Sequence, residues 1–145
     1  MPTVTVTRRL EWDAMHRVPG HDGACKAFHG HRYAAEITCA GTVPEDGMII
    51  DFGAVKRVVG TWIDQNWDHT GILYDQDTDP AIEAIKASNA SYGRPVYLMQ
   101  SPPTAENIAS ELLRIASDLL ADYHITVTSV RIYETPNCFA TATAD

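Results

Sequence analysis

CKAFHGHRYAAEITCA, residues 25–40, changes character at its first histidine. From there His29, His31, Tyr33, Ala35, Ile37 and Cys39 share one side of a period-two pattern, and Arg32, Glu36 and Thr38 share the other. The alternation predicts a strand over about 29–40 and sets two imidazoles side by side on its more apolar face. Two imidazoles cannot both be charged cheaply at such a distance. A shared metal ion removes the conflict, because neutral ring nitrogens become one coordination sphere. A histidine pair placed by chance, or stacked in a polar loop, is the alternative that the pair alone leaves open.

Upstream, residues 3–16 alternate in the same way. Val4, Val6, Leu10, Trp12, Ala14 and His16 fall on one face, broken by Arg8; Thr3, Thr5, Thr7, Arg9, Glu11 and Asp13 fall on the other. If this strand pairs with the next, His16 becomes a third ligand beside His29 and His31. Three histidines with an open fourth position describe a catalytic zinc site, since structural sites close the shell with four protein ligands. Cys25 lies on the preceding loop beside Lys26. Cations next to a thiol favour its thiolate, which makes Cys25 a candidate base or nucleophile. Cys39, deep in a strand, and Cys138, in a short terminal one, read as packing residues.

Downstream, GTVPEDG (41–47) is a turn. Asp51 is placed to cap a helix to about Asn66, with Ile50 and Val55 as a hydrophobic staple and Val55, Val58, Val59 and Trp62 as its stripe. Residues 68–103 are the least regular part, with a short helix expected near 80–88 and a short apolar run at 96–99. Pro102 and Pro103 then stop the chain, Thr104 caps, and Ile108, Leu112, Ile115 and Leu119 form a helical stripe. Residues 125–135 return to strand, and CFATATA from 138 is a short last one. The order predicts one α+β domain over residues 1–145: an antiparallel four-stranded sheet with two helices on one face.

The net charge of −8 argues against nucleic acid or an anionic membrane as partner, because both need a basic face. A small anion needs only a few local cations, for which Lys26 and Arg17 are the candidates. No apolar run reaches the length of a membrane span, and the alternating N-terminus reads as a strand rather than a signal peptide. Three cysteines without CxxC spacing fit a reducing compartment, so a cytoplasmic location is expected. Asp68 and His69 place an acid beside an imidazole at a helix exit, where a turn can aim both into a cleft; a solvated exit explains them equally well. Glu106 sits in a first helical turn, where the dipole already favours a carboxylate. Glu134 follows Val130 and Ile132 on an apolar face and should have a partner.

CKAFHGHRY, preceded by WDAMHRVPGH and followed by GMIIDFGAVK, WDH, PTAEN and YETP, resembles the 6-pyruvoyl-tetrahydropterin synthase superfamily, in that order, from about residue 4 to residue 139. The resemblance is greatest to the carboxy-forming branch of queuosine biosynthesis, in which three residues separate the cysteine from the first histidine of the pair. It implies zinc on His16, His29 and His31, a catalytic set of Cys25, Asp68 and His69, and a pterin grip by Thr104, Glu106 and Glu134. It also implies the tunnelling fold, assembled as a homotrimer or homohexamer with active sites at subunit interfaces. The implied reaction converts 7,8-dihydroneopterin triphosphate to 6-carboxy-tetrahydropterin, releasing acetaldehyde and triphosphate. A pyruvoyl product, or a pterin- and zinc-binding module without turnover, are the alternatives. The chain departs from the family pattern at WDAMH and at TGILYDQD after the Asp-His pair.

Overall fold

A computed structural model describes residues 2–145. Strands β1 (Thr3–His16) and β2 (His29–Thr42) form a long antiparallel pair whose register sets His16 opposite His29 and Ala14 opposite His31. Alternation therefore delivers all three imidazoles to one face and one end of the pair. The same face carries Leu10, Trp12, Tyr33, Ala35, Ile37 and Cys39 into the core. Trp12 stacks on Tyr33 at 5.3 Å between ring centroids and tilts against Trp67 at 5.4 Å. Aromatic rings bury large apolar areas and hold a defined geometry, so this stack makes a stiff floor next to the histidines.

The sheet has six strands rather than the four expected. Its order is β4-β3-β1-β2-β5-β6, with β3 (Thr70–Tyr74), β4 (Tyr97–Met99), β5 (Thr126–Thr135) and β6 (Cys138–Thr143). It is also mixed: β3 runs parallel to β1, joined at Ala14 and Met15, and β4 runs parallel to β3. The reason is burial. Thr70, Gly71, Ile72 and Leu73 are all buried, and a strand covered on both faces shows no alternation.

Helices α1 (Phe52–Val55) and α2 (Thr61–Asn66) are joined through a π turn at Lys56–Gly60, and together they fill the predicted helix. The Asp51 carboxylate caps it by accepting from the Gly53 N–H at 2.8 Å. Helix α3 (Ala81–Ser91) forms where a short helix is expected near 80–88, and it makes a third beside the two that the fold class counted. In α4 (Ala105–Leu119) the Thr104 hydroxyl accepts from the Asn107 N–H at 3.2 Å. Ile108, Leu112 and Ile115 are buried as the stripe requires, each worth about 1.5–3 kcal/mol of apolar burial. Leu119 is a correction: it is 38% exposed, because the helix ends there and Leu120 turns inward to close the core in its place. Helix α4 lies against β5 and β6. Among the described residues no helix is long and apolar enough to cross a membrane.

Candidate active site

The three histidines meet as the register requires. Their ring centroids lie 4.5 Å (His16–His29), 5.1 Å (His16–His31) and 4.9 Å (His29–His31) apart, and one ring nitrogen from each lies within 4.8 Å of the others. Two of the three are fixed from behind. His16 Nδ1 is 2.7 Å from the Pro103 carbonyl, and His29 Nδ1 is 2.7 Å from the Ala27 carbonyl. A carbonyl only accepts, so both Nδ1 atoms carry a proton, and each ring turns its Nε2 into the cluster. Those two Nε2 atoms face each other at 3.0 Å.

Two lone pairs at that distance repel unless a cation sits between them. Burial, assisted by His29 and His31, pushes the His16 imidazole down to about 4 against the pull of the Pro103 hydrogen bond, so this ring is neutral near pH 7. Burial also lowers His31, opposed by Glu134. Pre-oriented imidazoles, two of them with backbone carbonyls behind them, fit a metal ion. Tyr33 packs edge-on against His16 and His31 at 5.8 and 5.5 Å, and its buried hydroxyl has no partner.

Glu134 does not gain a hydrogen-bond donor from its neighbours here; it faces the ring nitrogen of a neutral His16, acceptor to acceptor. Its Oε2 is 3.5 Å from His16 Nε2, which places a carboxylate at the rim of the histidine cluster. Glu134 and Glu106 line one recess of about 310 Å3 together with Ala105, Cys138 and Phe139. Thr104, the residue before Ala105, is engaged as the cap of α4. Cys138 is a correction, because it is exposed in this recess and does not pack in the core.

Asp68 and His69 also form a unit. Trp67 ends α2, and His69 takes a left-handed backbone with φ of 59°. This bend lets neighbouring side chains meet, with His69 Nδ1 2.8 Å from Asp68 Oδ1. The Asp13 backbone clamps the pair from both sides: its carbonyl accepts from the His69 N–H at 2.7 Å, and its N–H donates to Asp68 at 3.2 Å. The carboxylate fixes the Nδ1 proton and leaves His69 Nε2 free to accept one. A cavity of about 550 Å3, walled by His31, His69, Met15, Ser88 and Asn89, joins this pair to the histidine cluster.

Cys25 and Lys26 lie on an exposed 3-10 turn, Ala24–Lys26, outside both recesses. One chain thus gathers His16, His29, His31 and Glu134, links His69 to His31, and leaves Cys25 apart. Arg17 is not free to meet an anion: its guanidinium binds Asp77 at 2.5 Å and the Lys26 carbonyl at 2.7 Å. The sequence leaves unmarked the Pro103 and Ala27 carbonyls, the Asp13 backbone and the use of the expected helix, α3, as a cavity wall. Only Pro102-Pro103 left a trace, as a helix stop.

Two results follow from these environments. Cys39 is fully buried and its thiol is pushed up to about 11, whereas Cys25 and Cys138 are exposed. Limited iodoacetamide treatment near neutrality should label Cys25 first, then Cys138, and leave Cys39 untouched; peptide mass mapping checks the order. The second result concerns chelator-stripped protein. Because His16 binds a proton less readily when folded than when unfolded, its contribution to stability is complete above about pH 6.5 and is lost as pH falls toward about 4. The loss is on the order of 3 kcal/mol. Urea melts at about pH 7 and about pH 4, with His16→Asn as baseline, measure it.

Residues 5–145 match the family model described as 6-pyruvoyl tetrahydropterin synthase. The chain is 42% identical over 138 residues to the 6-carboxy-5,6,7,8-tetrahydropterin synthase of Rickettsia felis, covering 94% of this chain and 97% of that one. It is 34% identical over 129 residues to the probable 6-carboxy-5,6,7,8-tetrahydropterin synthase of Halobacterium salinarum, covering 89% and 79% of the two chains. Among solved structures, an uncharacterized protein from Wolinella succinogenes superposes with a TM-score of 0.85 at 18% identity over both whole chains. The Caenorhabditis elegans 6-pyruvoyl tetrahydropterin synthase superposes with a TM-score of 0.72 at 23% identity, over 100% of this chain and 98% of that one. At those identities the superpositions speak for the fold.

Proposed function

Because the chain belongs to the 6-pyruvoyl tetrahydropterin synthase family, we propose that it is a zinc-dependent lyase. It converts 7,8-dihydroneopterin triphosphate and water to 6-carboxy-5,6,7,8-tetrahydropterin, acetaldehyde and triphosphate, in queuosine biosynthesis in the cytoplasm. The observation that carries the metal-dependent part is the pair of Nε2 atoms on His16 and His29 facing each other at 3.0 Å, each ring held at Nδ1 by a carbonyl. The names of the relatives support the carboxy product, as does the three-residue spacing between Cys25 and His29.

Zinc held by His16, His29 and His31 supplies Lewis acidity, which acidifies substrate hydroxyls and the C–H bonds beside them. Cys25 takes the proton from carbon. His69, its Nδ1 proton fixed by Asp68, moves the second proton through Nε2. Glu106 and Glu134 accept the N–H donors of the pterin's aminopyrimidinone edge, with Thr104 beside them. A carboxylate suits that edge because it accepts two parallel hydrogen bonds in a fixed plane. Glu134 also touches His16, so the grip on the ring sets the side chain of the substrate next to the metal position. Lys26 meets the triphosphate.

The active assembly is a homotrimer or homohexamer with sites shared between chains. Two features support it. Strand β3 covers β1 only at Ala14 and Met15, so the rest of that edge is open, as is the outer edge of β6. Open edges recruit another strand. The exposure of Cys25 and Lys26, outside the recesses of their own chain, supports a site that a second chain helps to close.

Incubation with 7,8-dihydroneopterin triphosphate and product identification by mass tests this function, with acetaldehyde trapped as its hydrazone. The 6-carboxy product with acetaldehyde is expected. A 6-pyruvoyl product without acetaldehyde would move the chain to the other branch of the family, and unchanged substrate would make it a binding module.

A further inference from the structure

Arg17 follows a histidine of the cluster, yet its side chain turns away from it. The Nη1 group donates to Asp77 Oδ1 at 2.5 Å and the Nε–H to the Lys26 carbonyl at 2.7 Å, while the guanidinium lies over Phe28 at 5.6 Å. Beside it, the Val18 N–H donates to the Cys25 carbonyl at 2.8 Å. The turn that carries Cys25 and Lys26 is therefore held by two consecutive residues, Arg17 and Val18.

Asp77 gives Arg17 its orientation from the far side. It comes from the loop between β3 and α3, sixty positions along the chain, and its side chain is 2% exposed. The Asp79 N–H donates to the same Oδ1 at 3.0 Å, and Asp79 Oδ1 accepts from the Ala81 N–H at 2.8 Å, tying the loop to the start of α3. The other Asp77 oxygen is buried without a donor. A half-satisfied buried carboxylate is a poor way to stabilise a fold, because its desolvation is large and its pairing incomplete. What the pair does supply is a fixed direction for both arms of the guanidinium, one toward Asp77 and one toward the turn.

We propose that Arg17 and Asp77 form a latch that sets the position of Cys25 relative to the metal site, which makes them positioning residues for proton transfer. The assignment rests on the reading of Cys25 as the proton acceptor. An acceptor on an exposed 3-10 turn has little packing to hold it, and misplacement by about 1 Å can cost a hundredfold in rate.

Two variants test the latch. Asp77→Asn removes the charge that orients the guanidinium. Arg17→Lys keeps a cation near Asp77 but has no Nε–H arm for the Lys26 carbonyl. In both, amide exchange at Val18 and Ala27 should accelerate about tenfold or more while amides of β1 and β2 keep their parental rates. Metal content should be parental and kcat should fall about tenfold to a hundredfold. In a Cys25→Ala background, adding Asp77→Asn should change the residual rate by less than about twofold, because the two act through one group. Unchanged exchange at Val18 and Ala27, metal loss in step with kcat, or an equal kcat loss with and without Cys25 overturns the latch. If Asp77→Asn does not fold, Arg17→Lys gives the answer. Normal turnover by Cys25→Ala alone would overturn the role of Cys25, whereas exchange at Val18 judges the hold on the turn in either case.

Discussion

Cys25→Ala protein is expected to keep its zinc and bind pterin while turning over about 10²–10⁴-fold more slowly, the range that loss of a positioned proton acceptor produces. The reasoning is one of separation. Cys25 lies on an exposed turn and the ligand atoms of His16, His29 and His31 cluster without it. Glu106 and Glu134 line a different recess. Removing the thiol therefore leaves metal and ring grip in place and takes away one acceptor. Neither other thiol is placed to replace it: Cys39 is buried under the sheet, and Cys138 lies in the recess of the two glutamates. Metal analysis, pterin binding and kcat on one preparation check the three parts together. Turnover near the parental rate would remove Cys25 from the mechanism.

His29→Ala and His31→Ala should each lower zinc affinity by more than the 10–100-fold typical of losing an outer-shell partner, and turnover should fall in step. Both residues start β2, where the strand is only partly buried, so truncation costs little packing. His16→Ala differs. His16 is 1% exposed and holds the Pro103 carbonyl, so its loss also leaves a buried acceptor unpaired and lowers stability by about 1–3 kcal/mol. Full zinc occupancy in the His29 and His31 variants would contradict the ligand assignment.

The parts of this molecule that a reader of the sequence could find are those with local signatures. Period two along residues 3–16 and 29–40 placed both long strands, and their pairing brought His16 to His29 and His31. Asp51 and Thr104 cap the helices their positions announced. Strand β3 escaped because Thr70–Leu73 is buried on both faces and does not alternate. The second tier of the site escaped for another reason. Carbonyls of Pro103 and Ala27 orient the imidazoles, and any residue carries a carbonyl. The Asp68–His69 contact depends on a left-handed His69 that nothing in WDHTG announces. Arg17, read as a cation for an anionic substrate, proved to be bound to Asp77, a partner visible only once the chain had folded.

The central claim is that three imidazoles on one strand pair hold the metal on which the chemistry depends. Stripping the protein with a chelator, returning zinc in steps and following turnover of 7,8-dihydroneopterin triphosphate tests it most directly. Turnover should rise in proportion to zinc and level off at about one ion per chain. Full turnover by the stripped protein, or a rise that continues well beyond that ratio, would contradict it.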